Sequence, residues 1–132
     1  MVHGFMGGSA QWNDQTKALG EHFEIITLDL PGFGLNSDLP AISGIGDFAA
    51  WVVAQLHDRK VSRFNLLGHS MGGMIAQEIA SRVPDQVEKL ILYATGAVGV
   101  LPGRFETIAE SKARTQTEGA RATARRIAAS WI

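Results

Sequence analysis

The chain of 132 residues contains no cysteine, which excludes disulfide bonds, thiol chemistry and thiolate metal sites. It has no apolar run near the roughly 18 residues that a membrane-spanning helix requires. Its first residues, Met1 to Gly4, also lack the charged and apolar regions of a signal peptide. We therefore expect a cytoplasmic protein that does not bind a membrane.

Neither sign of charge is in large excess. The formal net charge is −1, so no overall field favours nucleic acid as a partner. The charge is nevertheless uneven, because residues 1–103 carry six basic and ten acidic side chains whereas residues 104–132 carry six and three. Such a step predicts that a second module begins near Leu101. We predict a core over residues 1–100 and a second part, of two helices, over residues 101–132.

Histidine is scarce, and its positions limit the chemistry. The four histidines are His3, His22, His57 and His69, and none follows position 69. No H-x-x-x-H motif and no carboxylate cluster occurs, so we predict neither a metal nor a cofactor. His22 and His57 fall at the ends of predicted elements and are interpreted as surface residues.

The main motif lies between an apolar run and a helical pattern. The run Phe64 to Leu67 stops at Gly68-His69-Ser70-Met71-Gly72, and apolar residues then recur at helical spacing as far as Val83. A G-x-S-x-G sequence between a strand and a helix is typical of a nucleophile elbow, in which the serine occupies a strained turn. Glycines flank the serine because the turn has no room for side chains there.

Strands and helices alternate along the rest of the first hundred residues. We predict a helix from Ser9 through Leu19 with a left-handed end at Gly20, and a buried strand over Phe23–Leu28. A further helix opens at Ser43 or Asp47 and presents one apolar face, and Val87–Tyr93 forms another strand. Hydrophobic residues make up 45% of the chain, enough for a core. This order predicts an α/β fold with a parallel sheet and helices on both faces.

Three segments together resemble the α/β-hydrolase superfamily. They are His3–Ser9, Asp29–Gly34 after a strand, and Gly68–Gly73, in the family's order and approximate spacing. The branch that they resemble comprises small cytoplasmic ester, lactone and carbon–carbon bond hydrolases. The segment Gly99–Phe105 and the helices after it are similar to 3-oxoadipate enol-lactonase-like members. The resemblance implies a partial α/β-hydrolase fold with the start of a helical cap.

The resemblance also implies roles for individual residues. Ser70 would be the nucleophile, and the backbone amides of Phe5 and Met71 would hold the oxyanion. A small acyl compound would be the substrate, with no cofactor. The residues that would support these groups are His3, Gly4, Gly68, His69 and Gly72. His3 is expected to fix the oxyanion loop by hydrogen bonds, and Asp29 is interpreted as a residue that braces a turn.

The family's catalytic triad is not complete in this sequence. The family order is Ser, then Asp or Glu, then His, whereas no histidine follows Ser70. By resemblance the chain lacks the acid, the base, its first strands and most of a central strand that ends at Val2. That strand would lie between those ending at Asp29 and Leu67. We therefore expect a fragment truncated at both ends, marginally stable or prone to aggregation, with little or no activity.

We predict a serine hydrolase that acts on a carboxylic ester, lactone or carbon–carbon bond through Ser70. One alternative is cofactor-free perhydrolysis or acyl transfer at the same elbow. Another is a hydrolase-like module without catalysis, which binds a ligand or partner or is inert. The sequence leaves the substrate and the oligomeric state open.

Overall fold

The computed structural model of the chain describes residues 1–40, 42–98 and 107–129. The chain divides into two compact units, residues 1–98 and residues 99–132. In the first unit the helices are α1 (Asn13–Leu19), α2 (Ile45–Asp58) and α3 (Met71–Arg82), the strands are β1 (Phe64–His69) and β2 (Val87–Tyr93), and short 3-10 helices cover Ser9–Trp12 and Gly34–Asn36. In the second unit the helices are α4 (Ile108–Glu118) and α5 (Ala120–Ala129).

The two strands form a parallel pair, as the alternating pattern predicted. Leu66 lies opposite Leu90 and His69 opposite Tyr93, and α3 provides the crossover between the strands. A parallel pair needs such a crossover because the chain must return to the same end of the sheet. The carboxyl ends of both strands therefore lie at one edge, where the turn at Ser70 begins. The α/β fold class is confirmed.

The core of this unit lies between β1 and the helices α2 and α3. The side chains of Ile75 and Ile79 on α3 are fully buried, and Leu66 on β1 is 3% exposed. Burying an isoleucine contributes about 1.5–3 kcal/mol. Helix α2 buries the face that its apolar spacing predicted, through Phe48, Ala49, Val52 and Leu56.

Val2 lies between two segments that are distant in sequence. It forms parallel bridges with Leu28 on one side and Gly68 on the other. Its amide donates to the Leu67 carbonyl at 2.8 Å, and its carbonyl accepts from the His69 amide at 3.1 Å. Residues 1–2 thus occupy a strand position between residues 24–28 and β1. This is where the resemblance to the family predicts the end of a central strand.

The predicted strand over Phe23–Leu28 is wrong except at its last residue. Only Leu28 is paired, through its bridge to Val2, and residues 24–27 have no regular secondary structure. A ladder requires a neighbouring strand along its whole length. In the described chain only Met1 and Val2 lie beside this segment, so an apolar run suited to a strand is left without a partner.

The predicted ends of two helices also differ from the structure. Ser9 does not cap α1 but begins a 3-10 helix, and its side chain bonds to Asp29 instead. Gly20 has φ −64° and is right-handed, so it is not a left-handed stop. Helix α2 is preceded by Gly44 without a side-chain cap, and Asp47 lies within its first turn. Tertiary hydrogen bonds and packing override local capping preferences at these positions.

The second unit contains the two helices that its sequence predicted. Helix α4 begins with a capping box, in which Thr107 accepts from the Glu110 amide and Glu110 accepts from the Thr107 amide. This arrangement satisfies two amides that a helix start leaves unpaired. Arg114 and Arg126 both pair with Glu118, at 3.8 and 3.5 Å. The predicted motif Gly99–Phe105 lies outside the described residues.

The described helices include none with the length and apolar character to cross a membrane.

Candidate active site

Ser70 occupies the turn between β1 and α3 in a strained backbone conformation. Its φ is 54° and its ψ −120°, a combination that is costly for a residue with a Cβ. Surrounding bonds hold it there, since its amide donates to the Tyr93 carbonyl at 3.0 Å and its carbonyl accepts from the Thr95 hydroxyl at 2.6 Å. The side chain is half-buried and does not cap α3. The hydroxyl is therefore not used for local structure.

The glycines around Ser70 are required by close backbone approaches. A Cβ on Gly68 would collide with the backbone of Gly72, the second residue of α3. A Cβ on Gly72 would collide with the carbonyl groups of Val2 and His3. The start of α3 therefore packs directly against both β1 and the first residues of the chain. The sequence predicted glycine at both positions, but attributed it to the tight turn alone.

The loop after His3 lies beside the serine. A Cβ built on Gly4 would be 3.0 Å from the Ser70 Cβ and 3.3 Å from the His69 carbonyl oxygen. Gly4 itself is buried, whereas the Phe5 side chain is 56% exposed. The structure thus brings together the glycine-rich loop and the elbow, two segments that are more than sixty residues apart in sequence.

His3 is fully buried and makes a hydrogen bond with each ring nitrogen. Its Nε2 accepts from the Leu30 amide at 3.0 Å, and its Nδ1 lies 2.8 Å from the Gly4 carbonyl oxygen. Because an amide can only donate and a carbonyl can only accept, the ring is neutral with its proton on Nδ1. Burial lowers the pKa of His3, although the Gly4 bond and the charge of Asp29 act to raise it. His3 is thus a structural support for this loop.

The two candidate oxyanion donors are the amides of Phe5 and Met71. The Gly4 carbonyl accepts from His3 and from the Gly7 amide at 3.0 Å. A trans peptide directs its carbonyl and its amide in opposite directions, so these bonds also set the direction of the Phe5 amide. Met71 is the first residue of α3, where helix amides lack internal partners. Within the described residues, neither amide donates a hydrogen bond.

Asp29 braces the loops next to this site, as its sequence context predicted. Its carboxylate accepts from the Ser9 amide at 2.6 Å and from the Ser9 hydroxyl at 3.0 Å, and its carbonyl accepts from the Asn36 side chain at 2.6 Å. Burial acts to raise the pKa of Asp29, but the Ser9 and Leu35 bonds and the nearby His3 outweigh it, so the pKa is lowered. An ionised carboxylate with these partners holds the loops in place.

His69 lies among aromatic and polar side chains. Its ring centroid is 5.4 Å from that of Tyr93 and 6.5 Å from that of Trp12. Its Nδ1 is 3.4 Å from Nε2 of the Gln11 side chain. No hydrogen bond joins this ring to Ser70 in the described part of the chain. His69 therefore does not occupy the position of a base for the nucleophile.

The described residues assemble no catalytic triad. His22 and His57 are exposed, and His57 lies 3.4 Å from the Gln86 side chain. No carboxylate or imidazole within residues 1–40, 42–98 and 107–129 forms a hydrogen bond with the Ser70 hydroxyl. The same residues contain no group of three or more histidine, aspartate or glutamate side chains placed to hold a metal ion.

Three supporting residues were not predicted from the sequence. Thr95 bonds to the Ser70 carbonyl, and Gln77 donates to the carbonyl oxygens of Gly73 and Gly96 at 3.2 and 3.1 Å. The Phe33 ring packs edge-on against His3 and Phe5, with centroid distances of 5.6 and 5.9 Å. Of the three, only Thr95 has a position that could have indicated its role. It follows β2, which ends at the same edge of the sheet as the turn at Ser70.

Comparison with known proteins agrees with this geometry. A sequence model described as alpha/beta hydrolase fold matches residues 1–124. The (E)-2-((N-methylformamido)methylene)succinate hydrolase of Acinetobacter baylyi is 31% identical over 90 residues, which are 68% of this chain and 34% of that protein. The pimeloyl-(acyl-carrier protein) methyl ester esterase of Pectobacterium carotovorum is 35% identical over 95 residues, 72% of this chain and 35% of that one.

A solved structure shows the same arrangement of the backbone. A thermophilic esterase from Thermogutta terrifontis aligns over 89% of this chain and 44% of its own, with a TM-score of 0.78 and 30% identity. This chain spans about a third of the length of the curated relatives described above. The family match covers nearly the whole sequence, and the elbow, the glycine-rich loop and the parallel strands all lie within it. This chain belongs to the α/β-hydrolase fold family.

Proposed function

We propose that this chain carries the nucleophile and the oxyanion hole of a serine hydrolase that acts on a carboxylic ester, a lactone or a carbon–carbon bond of a small acyl compound. The main support is the conformation of Ser70, a serine held at positive φ with an unused hydroxyl beside two unpaired amides. Strain of this kind persists only where surrounding contacts impose it, and it concentrates at functional sites. The relatives named above are a hydrolase and an esterase, which is consistent with hydrolysis.

The reaction begins with attack on the substrate's acyl carbon. The Ser70 oxygen forms a bond to that carbon while a base takes the hydroxyl proton. The carbonyl oxygen becomes an oxyanion, to which the Phe5 and Met71 amides donate. The leaving group then departs with a proton, and water releases the acyl group from Ser70. Losing one oxyanion donor typically costs about 3–4 kcal/mol of transition-state stabilisation.

The base and the acid that orients it are proposed to come from residues of a longer protein. The described residues place no imidazole on the Ser70 hydroxyl, and no histidine follows Ser70 in the sequence. We propose that the 132-residue chain alone has little activity, because removing triad members leaves about 10³ to 10⁴-fold catalysis over water at best. We also propose that the second unit is the start of a cap domain and that the enzyme acts in the cytoplasm.

Labelling with a fluorophosphonate in the presence of imidazole tests this proposal. Free imidazole can take the proton that the missing base would accept, so the chain should acquire one phosphonyl group on Ser70, located by mass spectrometry of peptides. The Ser70→Ala variant should remain unlabelled, whereas Ser43→Ala, which removes an exposed serine, should be labelled at the rate of the unaltered chain. A folded chain that reacts at other serines as fast as at Ser70 would show that the elbow does not activate its hydroxyl.

A further inference from the structure

The loop after β2 folds back onto the turn at Ser70. The last residue of β2, Tyr93, accepts a hydrogen bond from the Ser70 amide through its carbonyl at 3.0 Å. The next residue, Ala94, has φ 46°, and the chain bends there. A left-handed conformation is costly for a residue with a Cβ, so surrounding contacts must impose it. Further along, the Gly96 carbonyl accepts from the Gln77 side chain at 3.1 Å. The loop is therefore fixed to the elbow at one end and to α3 at the other.

Thr95 lies between these two attachments, and its side chain contacts the first turn of α3. Its hydroxyl donates to the Ser70 carbonyl at 2.6 Å. The amides of Gly73 and Met74 donate to the same oxygen, at 2.9 and 3.3 Å. The hydroxyl bond is short for its kind, whereas the Met74 bond is longer than the usual range for an amide. The Thr95 hydroxyl is therefore a main determinant of the direction of this carbonyl.

The third glycine of the motif, Gly73, makes room for Thr95. A Cβ on Gly73 would lie 2.5 Å from both the Cβ and the Cγ2 of Thr95, and 2.6 Å from its Oγ1. Any larger residue at this position would therefore displace the threonine. The G-x-S-x-G pattern ends at Gly72 and requires no glycine at position 73. The sequence thus keeps this space free for the Thr95 side chain.

The Ser70 carbonyl and the Met71 amide belong to one peptide group. In a trans peptide the carbonyl and the amide point in opposite directions, so a bond that orients the carbonyl also orients the amide. A hydrogen bond to the carbonyl also polarises the peptide, which strengthens the amide as a donor by about 10–30%. The same relationship joins His3 to the Phe5 amide through the Gly4 carbonyl. Each candidate oxyanion donor thus has a side chain bonded to the carbonyl of its own peptide group.

We propose that Thr95 is a positioning residue for the oxyanion hole: its hydroxyl holds the Ser70–Met71 peptide group so that the Met71 amide faces the oxyanion. The inference rests on the proposed function, because it concerns an amide of that site. In this role Thr95 affects the reaction only through the peptide group. The alternative is a role in packing alone, since the side chain also fills the space beside Gly73.

Two substitutions of Thr95 separate these roles. Thr95→Val keeps the shape of the side chain and removes the hydroxyl, whereas Thr95→Ser keeps the hydroxyl and removes the methyl group. In Thr95→Val the Ser70 carbonyl retains its bonds from two amides of α3, so no buried acceptor is left unsatisfied and the chain should fold. Thr115→Val is the matched control. Thr115 is also half-buried, and its hydroxyl donates to a carbonyl of its own helix at 2.8 Å.

The measurement is the rate at which each folded variant is phosphonylated at Ser70 in the presence of imidazole. The Ser70 oxygen bonds to phosphorus, fluoride leaves, and imidazole takes the proton. Two reagents are compared, a fluorophosphonate and its analogue with sulfur in place of the phosphoryl oxygen. Sulfur is a weaker hydrogen-bond acceptor and gains less from the oxyanion amides.

We expect Thr95→Val to slow the reaction of the oxygen reagent about tenfold, less than the roughly 10²–10³-fold that the loss of a whole oxyanion donor costs. The reaction of the sulfur reagent should slow less. Thr95→Ser and Thr115→Val should react at close to the rate of the unaltered chain. In nuclear magnetic resonance spectra the amide nitrogen of Met71 should shift in Thr95→Val, because the bond to its own peptide group is lost, and should keep its position in Thr95→Ser.

Several results would overturn the positioning role while leaving the proposed function intact. They are a Thr95→Val variant that reacts as fast as the unaltered chain, that slows equally with both reagents, or that leaves the Met71 signal unchanged. A Thr95→Ser variant that reacts more slowly than Thr95→Val would assign the side chain to packing. If the unaltered chain itself is not labelled at Ser70, the proposed function fails, and this inference fails with it.

Discussion

The Nδ1 atom of His3 donates to the carbonyl oxygen of Gly4 at 2.8 Å, and that carbonyl shares its peptide plane with the Phe5 amide. A buried ring thus sets the direction of an amide proposed to bind the oxyanion. The other ring nitrogen accepts from the Leu30 amide, which ties the loop to the segment after Leu28. One neutral imidazole therefore links two loops that converge at the carboxyl edge of the sheet.

Replacing this ring should destabilise the fold. In His3→Ala the Leu30 amide loses its acceptor, and an unsatisfied buried amide costs about 1–3 kcal/mol. The emptied space adds a penalty, so we expect the free energy of unfolding to fall by about 2–4 kcal/mol. Urea unfolding followed by tryptophan fluorescence measures this change. The exposed His22→Ala should stay within about 0.5 kcal/mol of the unaltered chain, and equal losses in both variants would contradict the role of His3.

Acidification should weaken the fold over a defined range of pH. Burial lowers the pKa of the Met1 ammonium from 8.0 to about 6 and lowers the pKa of His3 below 6.5. Both groups bind a proton more tightly in the unfolded chain, so stability falls as pH decreases. The contribution of Met1 is complete above pH 8 and declines toward pH 6, and that of His3 declines below about pH 6.5.

Urea midpoints measured at intervals between about pH 9 and pH 5 test this pH dependence. The unaltered chain should lose stability steadily across the range, and His3→Gln should have a smaller slope below about pH 6.5 because its titrating group is gone. Above that pH the two slopes should agree. A midpoint that rises on acidification would show that the two groups are charged in the folded protein.

The elbow could be predicted from sequence because its causes are local. A Cβ on Gly68 is excluded by the backbone of Gly72, four residues later, and the serine between them takes up the tight bend. Gly72 also meets the carbonyl groups of Val2 and His3, a distant contact that the short motif does not encode. The buried face of α2 is also a local property, since its spacing of apolar residues matches the helical period. Patterns of this kind are present in any short window of the sequence.

The errors arose where the outcome depends on distant residues. Phe23–Leu28 has the composition of a strand, but its ladder needs a neighbour, and only Met1 and Val2 supply one. Ser9 has a side chain suited to a helix cap, but its hydroxyl and its amide donate to the Asp29 carboxylate instead. Thr95 and Gln77 support the turn through contacts that no short pattern encodes.

The strain at Ser70 predicts a difference between two small substitutions. Glycine adopts positive φ without penalty, whereas alanine retains the Cβ that causes the cost. Ser70→Gly should therefore be more stable than Ser70→Ala by about 1–3 kcal/mol, the usual range for such strain. Ser70→Ala itself should be close to the unaltered chain, because the serine side chain makes no capping bond. Urea unfolding of the unaltered chain and the two variants measures this difference. Equal stabilities of Ser70→Gly and Ser70→Ala would show that the turn relaxes to a conformation without strain.

Helix α3 approaches the first residues of the chain closely at Gly72. Replacing this glycine with alanine should therefore lower the free energy of unfolding, whereas the same replacement at Gly46 should not. In Gly72→Ala the new methyl group meets the carbonyl groups of Val2 and His3, which belong to a buried backbone that cannot move aside. We expect a loss of about 1–3 kcal/mol in the free energy of unfolding, typical of overpacking. The rate of phosphonylation of Ser70 should also fall, because the displaced residues directly precede the loop that carries the Phe5 amide.

Gly46→Ala is the matched control for this substitution. The glycine is the second residue of α2, and the new methyl group would meet only the ends of the Arg82 and Glu78 side chains, which are exposed and can shift. Alanine is favoured over glycine within a helix by up to about 0.5–1 kcal/mol, so this variant should be neutral or more stable. Urea midpoints for both variants give the comparison. If Gly72→Ala proved as stable as Gly46→Ala, the helix would not pack against Val2 and His3 as closely as described, and the support proposed for the oxyanion loop would fail with it.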